Sequence, residues 1–193
     1  MSDVMTSWRQ IEQVLKRQAP DAFRALRGPA TENQIAALER KLGQRLPADF
    51  SGSLRIHNGM RDSYLGVNRF FNNEALLSTR DIVAQWQMMT RLLEGGFFEA
   101  SGDPLTKTPR LKNDQWWRRG WIPITDNEGD GFVVDLEPGG RGKLGQVFYF
   151  YHDGSGPRKV VAGSYAEWIG DIAARFERGK FEVAGGMIML DAA

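Results

Sequence analysis

The chain has 193 residues, of which 41% are hydrophobic and 11% aromatic, so it is long enough to bury a core as a single domain. It contains no cysteine, which excludes disulfides, thiolate metal sites and cysteine nucleophiles, and its net charge of +1 argues against a dedicated nucleic-acid binder. It shows neither a run of about 18 apolar residues nor a signal-peptide pattern, so we expect a soluble cytoplasmic protein without a membrane partner.

The first half of the chain is predicted to contain four helices. Apolar residues recur at helical spacing in each of them, and residues suited to helix caps stand at their ends. Thr31 and Gln34 have the spacing of a capping box, and Pro20 limits the extension of the first helix. The predicted helices run over residues 5–17, from Thr31 to Gly43, from Pro47 to Asn58 and from Ser78 to Gly95.

The second half has the composition of an antiparallel sheet, because β-branched and aromatic runs alternate with turn residues. Ser164 and Glu167 have capping-box spacing and open a closing helix. Strands are predicted at residues 121–125, 132–136, 146–151 and 158–162, with shorter ones around 64–67, 75–77 and 181–190. This order predicts a single α+β domain, residues 1–193. Its central antiparallel sheet would pack with N-terminal helices and the closing helix, with a long, mobile insertion at about 97–119.

The stretch from Asp126 to Glu137, DNEGDGFVVDLE, has nearly the oxygen-ligand spacing of a calcium-binding EF-hand loop. Such a loop needs a helix on either side, whereas WIPIT before it and FVVDL after it have strand composition. A β-hairpin that turns at residues 127–131 explains the pattern better, with Gly129 and Gly131 supplying positive φ angles. The acidic side chains of this turn should then reach solvent, and we expect neither a metal nor a cofactor.

The order of short motifs resembles that of the SUKH superfamily, which contains the yeast glucan synthesis regulators and many bacterial immunity proteins. No single motif is specific; the shared order carries the resemblance from about Trp8 to Phe176, and residues 97–119 are the least family-like part. The resemblance implies an α+β fold with a central sheet, and a role in binding proteins rather than in catalysis. The motifs are WRQIE from Trp8, ATENQIAALE from Ala30, LGQRLPADF from Leu42, HNG from His57, LLS from Leu76, WIPI from Trp121, NEGDG from Asn127, VDL from Val134, GQV from Gly145 and SYAEW from Ser164.

Our main hypothesis from this resemblance is an immunity protein that serves bacterial competition by binding a cognate toxin and occluding its active surface. The alternative is a regulatory adaptor of a cell-envelope or signalling pathway. In both cases the charge of the acidic hairpin would speed encounter with the partner, and the neighbouring aromatic-basic run would anchor the partner. The alternative for this run is that its tryptophans pack the start of the sheet. The predicted partner-binding residues are Asp126, Glu128, Asp130, Trp116, Trp117, Arg118 and Arg119.

A third hypothesis is a small metal-dependent hydrolase that uses Asp126, Glu128 and Asp130 with His152. The chain has only two histidines and neither an HExxH nor a G-x-S-x-G motif, so we expect no enzyme. GGRGKLG, at residues 139–145, lacks the ending of a phosphate loop and precedes a strand rather than a helix. The basic-aromatic run at residues 112–121 resembles a single-strand binding surface in composition only, so we expect no nucleic-acid partner.

Overall fold

Helices occupy most of the first half of the chain and strands most of the second, which confirms the predicted α+β class. The computed structural model describes residues 3–61, 69–96, 103–184 and 187–190. Within those ranges no helix is both long enough and apolar enough to cross a bilayer. The helices are α1 (Val4–Gln18), α2 (Pro20–Ala25), α3 (Glu32–Leu42), α4 (Ala48–Leu54), α5 (Thr79–Glu94) and α6 (Tyr165–Glu177), and the strands are β1 (Ala75–Leu76), β2 (Trp121–Pro123), β3 (Thr125–Asp126), β4 (Gly131–Asp135), β5 (Gln146–Phe150), β6 (Lys159–Ala162), β7 (Phe181–Ala184) and β8 (Met187–Leu190).

The helix caps largely follow the sequence signals. Thr31 and Gln34 form the complete capping box of α3, and Gly43 ends that helix with a φ of 68°. Ser78 caps α5 and also forms a box, in which Asp81 supplies the returning carboxylate. The side chain of Ser164 caps α6, but the Glu167 carboxylate accepts from the backbone N–H of Gly163, so the predicted reciprocal box is incomplete.

The sequence did not predict α2. Pro20 was interpreted as a limit to α1, whereas it occupies the first turn of a new helix. A first-turn proline sacrifices no intrahelical hydrogen bond, because the N–H it lacks has no partner there. The chain turns at Ala19, which is buried, and α2 follows at once.

Four strands form the central antiparallel sheet in the order β2-β4-β5-β6. Strand β4 pairs with β5 over its whole length, with Phe132 opposite Tyr149 and Val133 opposite Phe148. Two smaller sheets complete the fold: β1 pairs with β3, and β7 pairs with β8. The strand predicted around residues 64–67 lies outside the described residues.

Helices cover one face of the central sheet. Helix α1 packs on α6, and the ring centroids of Phe132 on β4 and Trp168 on α6 are 5.3 Å apart. Within this layer the indole Nε1 of Trp8 donates to the hydroxyl of Ser53 at 2.8 Å. The fully buried Trp8 therefore brings its polar atom to a partner, as burial of an indole requires.

The opposite face is covered by α5 and by residues 103–119, which contain neither helix nor strand. Trp117 and Trp121 lie edge to face there, and both contact Phe150 of β5. The described part of the predicted insertion therefore packs against the sheet through Trp116 and Trp117. Its first part, residues 97–102, lies outside the described residues, and its status as an insertion remains a prediction.

Arg158 attaches this irregular segment to the sheet. Its side chain is 3% exposed, and the guanidinium lies 4.9 Å above the Trp121 ring. It donates to the carbonyl oxygens of Gln115 at 2.9 Å and Trp116 at 2.6 Å, and to the side-chain oxygen of Asn113 at 2.9 Å. Burial lowers the pKa of Arg158 to about 10, so the group is still charged at neutral pH.

We expect Arg158→Met to lower the free energy of unfolding by about 3 kcal/mol, because it removes the donor to the carbonyl oxygens of Gln115 and Trp116. Urea denaturation followed by tryptophan fluorescence measures this loss. The matched control is the neighbouring exposed Lys159→Met, for which we expect less than about 0.5 kcal/mol. Equal effects of the two substitutions would contradict the role assigned to Arg158.

Candidate functional site

The acidic stretch forms the predicted β-hairpin, and strands rather than helices flank its turn. The backbone N–H of Asn127 donates to the backbone carbonyl oxygen of Asp130 at 2.8 Å. The backbone N–H of Asp130 donates to the carbonyl oxygen of Asn127 at 3.1 Å. The two central residues have positive φ, 56° at Glu128 and 101° at Gly129, as a tight two-residue hairpin turn requires. The sequence indicated the glycine but not the left-handed conformation of Glu128.

Two of the three turn carboxylates are tied to neighbouring elements. Oδ1 of Asp126 accepts from the backbone N–H of Gly129 and from Nε2 of Gln85 on α5, both at 3.2 Å. Oδ1 of Asp130 accepts from the backbone N–H and the ring Nδ1 of His152, both at 2.8 Å. The turn is therefore fixed to α5 on one side and to the residues after β5 on the other.

A cleft of about 370 Å³ lies between this turn and α5, and we refer to it as the acidic cleft. Methionine and leucine side chains of α5 form one wall, and the turn with its carboxylates forms the other. This volume is at the lower end of the range for ligand pockets. The lining residues are Arg69, Gln85, Met88, Met89, Leu92, Trp116, Asp126, Glu128, Gly129 and His152.

The predicted acidic residues of the site lie in or directly behind the acidic cleft. Asp126 and Glu128 line it, and Asp130 lies behind His152. The expectation that all three reach solvent holds fully for Glu128, which is exposed, whereas Asp126 and Asp130 are half-buried. Burial raises the pKa of Asp126.

The predicted aromatic and basic residues separate into different environments. Trp116 lines the acidic cleft, and its Nε1 donates to the carbonyl of His152 at 2.8 Å. Trp117 is only 1% exposed and packs the core, which is the competing structural interpretation of this run. Arg118 forms ion pairs with Asp114 and Glu137, and Arg119 pairs with Glu94.

Glu74 is a buried carboxyl group beneath the turn that the sequence analysis missed. Oε2 accepts from the hydroxyl of Thr125 at 2.5 Å, and Oε1 accepts from that of Tyr149 at 2.9 Å. Burial is the main cause that raises the pKa of Glu74 to about 7; the charges of Asp126 and Asp130 act in the same direction, whereas the hydrogen bonds from Thr125 and Tyr149 oppose it. The signal available in the sequence was an acid directly before the apolar run ALL, at residues 75–77.

The four residues of the metal-dependent hydrolase hypothesis do not form one set of ligands. Among the described residues, the only group of three whose ligand atoms lie within 4.8 Å of one another is Asp130, His152 and Asp153. Asp126 and Glu128 are not part of it, and the Asp130 and His152 atoms already hydrogen-bond to each other. This arrangement does not support the hydrolase hypothesis.

We expect the pKa of Glu74 to make the protein less stable as pH rises. A folded-state pKa of about 7 against the usual 4.5 means that the folded state holds this proton more tightly, so stability falls between about pH 5 and pH 8. Glu74 contributes on the order of 3 kcal/mol to this fall. Glu74→Gln removes the charge and should flatten the profile by that amount, measured by urea unfolding across the range.

The exposed Glu182→Gln serves as the control for Glu74→Gln and should leave the pH profile unchanged. Comparison with the wild type isolates the effect of the Glu74 carboxyl, including its electrostatic coupling to Asp126 and Asp130. A Glu74→Gln profile with the wild-type slope would show that Glu74 is ionised without cost in the folded state.

Comparison with known proteins identifies the family. The model of the SMI1 / KNR4 family (SUKH-1) matches residues 29–171. Among the similar proteins, the KNR4/SMI1 homolog of Yarrowia lipolytica is 27% identical over 93% of this chain and 31% of its own length. The cell wall assembly regulator SMI1 of Saccharomyces cerevisiae is 26% identical over 94% of this chain and 42% of its own length. The glucan synthesis regulatory protein of Neurospora crassa is 26% identical over 93% of this chain and 40% of its own length.

These relatives correct our main functional hypothesis. They are fungal proteins named as regulators of cell wall assembly and glucan synthesis, so the interpretation as a bacterial immunity protein with a cognate toxin partner is wrong. This chain spans about a third to two fifths of the length of the three relatives named above. The resemblance drawn from the motif order is confirmed: the chain belongs to the SMI1 / KNR4 family (SUKH-1).

Proposed function

We propose that this chain is a regulatory adaptor that acts by binding other proteins, in a pathway of cell wall or glucan synthesis. The observation that carries the proposal is its similarity, over more than nine tenths of its length, to fungal proteins named as regulators of those processes. Because this chain matches less than half of each relative, the pathway named for the relatives is itself part of the proposal. The cytoplasmic location expected from the sequence remains a prediction.

The acidic cleft is the surface we propose for partner binding. It combines an apolar wall with charged groups at its rim, which is the composition of protein-binding hot spots with a polar surround. Asp126, Glu128 and Trp116 line it and would contact the partner directly. Trp117, Arg118 and Arg119, which were predicted to contact the partner, do not line the cleft: Trp117 packs in the core, and the two arginines form ion pairs within the fold.

Binding rather than catalysis is the activity we propose for this domain. The relatives are named as regulators, and the residues of the alternative hydrolase hypothesis are not assembled into a ligand set among the described residues. The carboxylates Asp126 and Asp130 are used to fix the turn, which is a positioning role.

A chimera tests the regulatory role. Replacing the matching region of the Saccharomyces cerevisiae regulator by this chain should restore growth under cell wall stress to a strain that lacks the regulator, because the domain supplies the missing interactions. Growth and cell wall glucan content are measured. A version with the matching region deleted is the control, and a chimera that performs no better than this deletion would contradict the proposal.

The charge of Glu128 should speed the association of a basic partner. We expect Glu128→Lys to slow the association rate roughly tenfold at low salt, with a smaller effect near 0.5 M salt, because exposed charges act through a screened field. The rates are measured by surface plasmon resonance with a partner purified by affinity capture on the wild-type domain. Glu182→Lys, which makes the same charge change on β7, is the control. An association rate that Glu128→Lys leaves unchanged would place the partner on another surface.

A further inference from the structure

The acidic cleft holds more negative than positive charge. Asp126 and Glu128 line it, and neither forms an ion pair with any described residue. Arg69 also lines the cleft, but its guanidinium donates to the backbone carbonyl of Asp126, at 3.4 Å, rather than to a carboxylate. His152 is engaged by Asp130. Two carboxylates therefore face the same space with no ion pair to any side chain in the part of the chain that the structure describes.

Asp126 is arranged to accept one more donor. Both of its hydrogen bonds within the described residues go to Oδ1, from Gly129 and Gln85. Oδ2 has no partner among these residues, and the side chain is half-buried at the wall of the cleft. Burial raises the pKa of this carboxyl even though the charge of Arg69 acts to lower it, so a further cation beside it would stabilise its ionised form.

The wall opposite the carboxylates is apolar. Met88, Met89 and Leu92 on α5 present flexible aliphatic and thioether groups to the cleft. Thioether side chains adapt their shape to what they contact, and long basic side chains place an aliphatic stem along such surfaces while the charged end reaches polar groups. The two walls thus match the two parts of a lysine or arginine side chain.

We propose that the acidic cleft receives a lysine or arginine side chain of the partner protein, an inference that rests on the function proposed above. The cationic end pairs with Oδ2 of Asp126 and with the carboxylate of Glu128, and the stem lies along Met88, Met89 and Leu92. Apolar residues on either side of the basic residue extend the contact along α5. Glu74, which is buried beneath the turn and accepts from the hydroxyls of Thr125 and Tyr149, adds to the attraction when it is ionised.

The charge distribution selects this partner chemistry against the alternatives. A phosphorylated or otherwise acidic segment would bring like charge next to Asp126 and Glu128, which costs binding energy. A bare divalent cation is a poorer match, since the single cation-ligand cluster found among the described residues excludes both carboxylates. A basic side chain satisfies both walls at once.

The test uses a defined probe, the acetylated and amidated peptide Gly-Leu-Arg-Leu-Gly, with citrulline in place of arginine as the neutral isostere. Titrations of the isotope-labelled domain are followed by NMR. We expect saturable shifts of the Gly129 amide, the Gln85 side-chain amide and the Met88 methyl group, with a Kd on the order of 1 mM for arginine and about tenfold weaker binding for citrulline.

Matched variants separate charge from packing. Asp126→Asn with Glu128→Gln removes both charges, and the asparagine oxygen can still accept from Gly129 and Gln85, so the turn is kept. This variant should bind the arginine peptide about tenfold more weakly, whereas Asp21→Asn with Glu182→Gln, an equal charge change at exposed positions, should not. Met88→Ala should weaken the binding of the arginine and citrulline peptides by the same factor, because the substitution removes only an apolar contact.

Three results would overturn the inference: no saturable shift of these signals up to ~10 mM arginine peptide, equal affinity for arginine and citrulline, or undiminished binding by the folded Asp126→Asn/Glu128→Gln variant. The chimera separates this failure from failure of the proposed function. If a chimera without the two cleft charges regulates normally, the proposed regulatory role is supported and the proposed binding of a basic side chain in the cleft is refuted. If the chimera is inactive but its domain still binds the arginine peptide more tightly than the citrulline peptide, the regulatory role is refuted and the binding of a basic side chain in the cleft is supported.

Discussion

The contacts of the Arg158 guanidinium hold the second face of the sheet in place. The segment that covers this face has no helix or strand, so its backbone carbonyls cannot be satisfied by regular pairing. One planar group directly before β6 supplies the donors that a strand or helix would otherwise provide, and it lies over the rings of Trp121 and Phe150. The backbone N–H of Arg158 adds a bond to Thr106 at 2.8 Å. The position of Trp116, and with it one boundary of the acidic cleft, depends on this attachment.

The acidic cleft illustrates a conflict between stability and binding. Glu74 is buried and Asp126 is half-buried, and neither forms an ion pair with a basic side chain among the described residues, so burial penalises their ionised forms. Their hydroxyl and amide donors offset part of this penalty and hold the turn in one conformation. A fold selected only for stability would place a cation or an apolar residue there. Retaining carboxylates at this position is consistent with a surface shaped for interaction.

Local signals in the sequence were sufficient for most of the secondary structure. The caps at Thr31 and Ser78 and the turn glycines act within a few residues, so their effect does not depend on the rest of the fold. Pro20 was misinterpreted because the same residue either stops a helix or opens the next one, and only the path of the chain decides between them.

The site itself was only partly predictable. Its acids were found because they are adjacent in sequence, whereas Glu74 and α5 reach the turn through tertiary packing, which leaves no local pattern. The burial of Trp117 likewise depends on Phe150, which is distant in sequence. The function was misjudged because an acidic hairpin on this fold suits a toxin and a pathway protein equally well. The relatives, named as regulators, contradict the toxin partner, because fold alone does not determine function.

The outer strand β6 has a consequence for the solution behaviour of the protein. It is the last strand of the central sheet, and its register with β5 shifts at Val147 and Phe148. Exposed Lys159 stands at its start. An interrupted ladder and a charged side chain are the devices by which sheet proteins resist edge-to-edge polymerisation. At this edge the sheet is therefore a poor template for strand addition by a second copy of the chain.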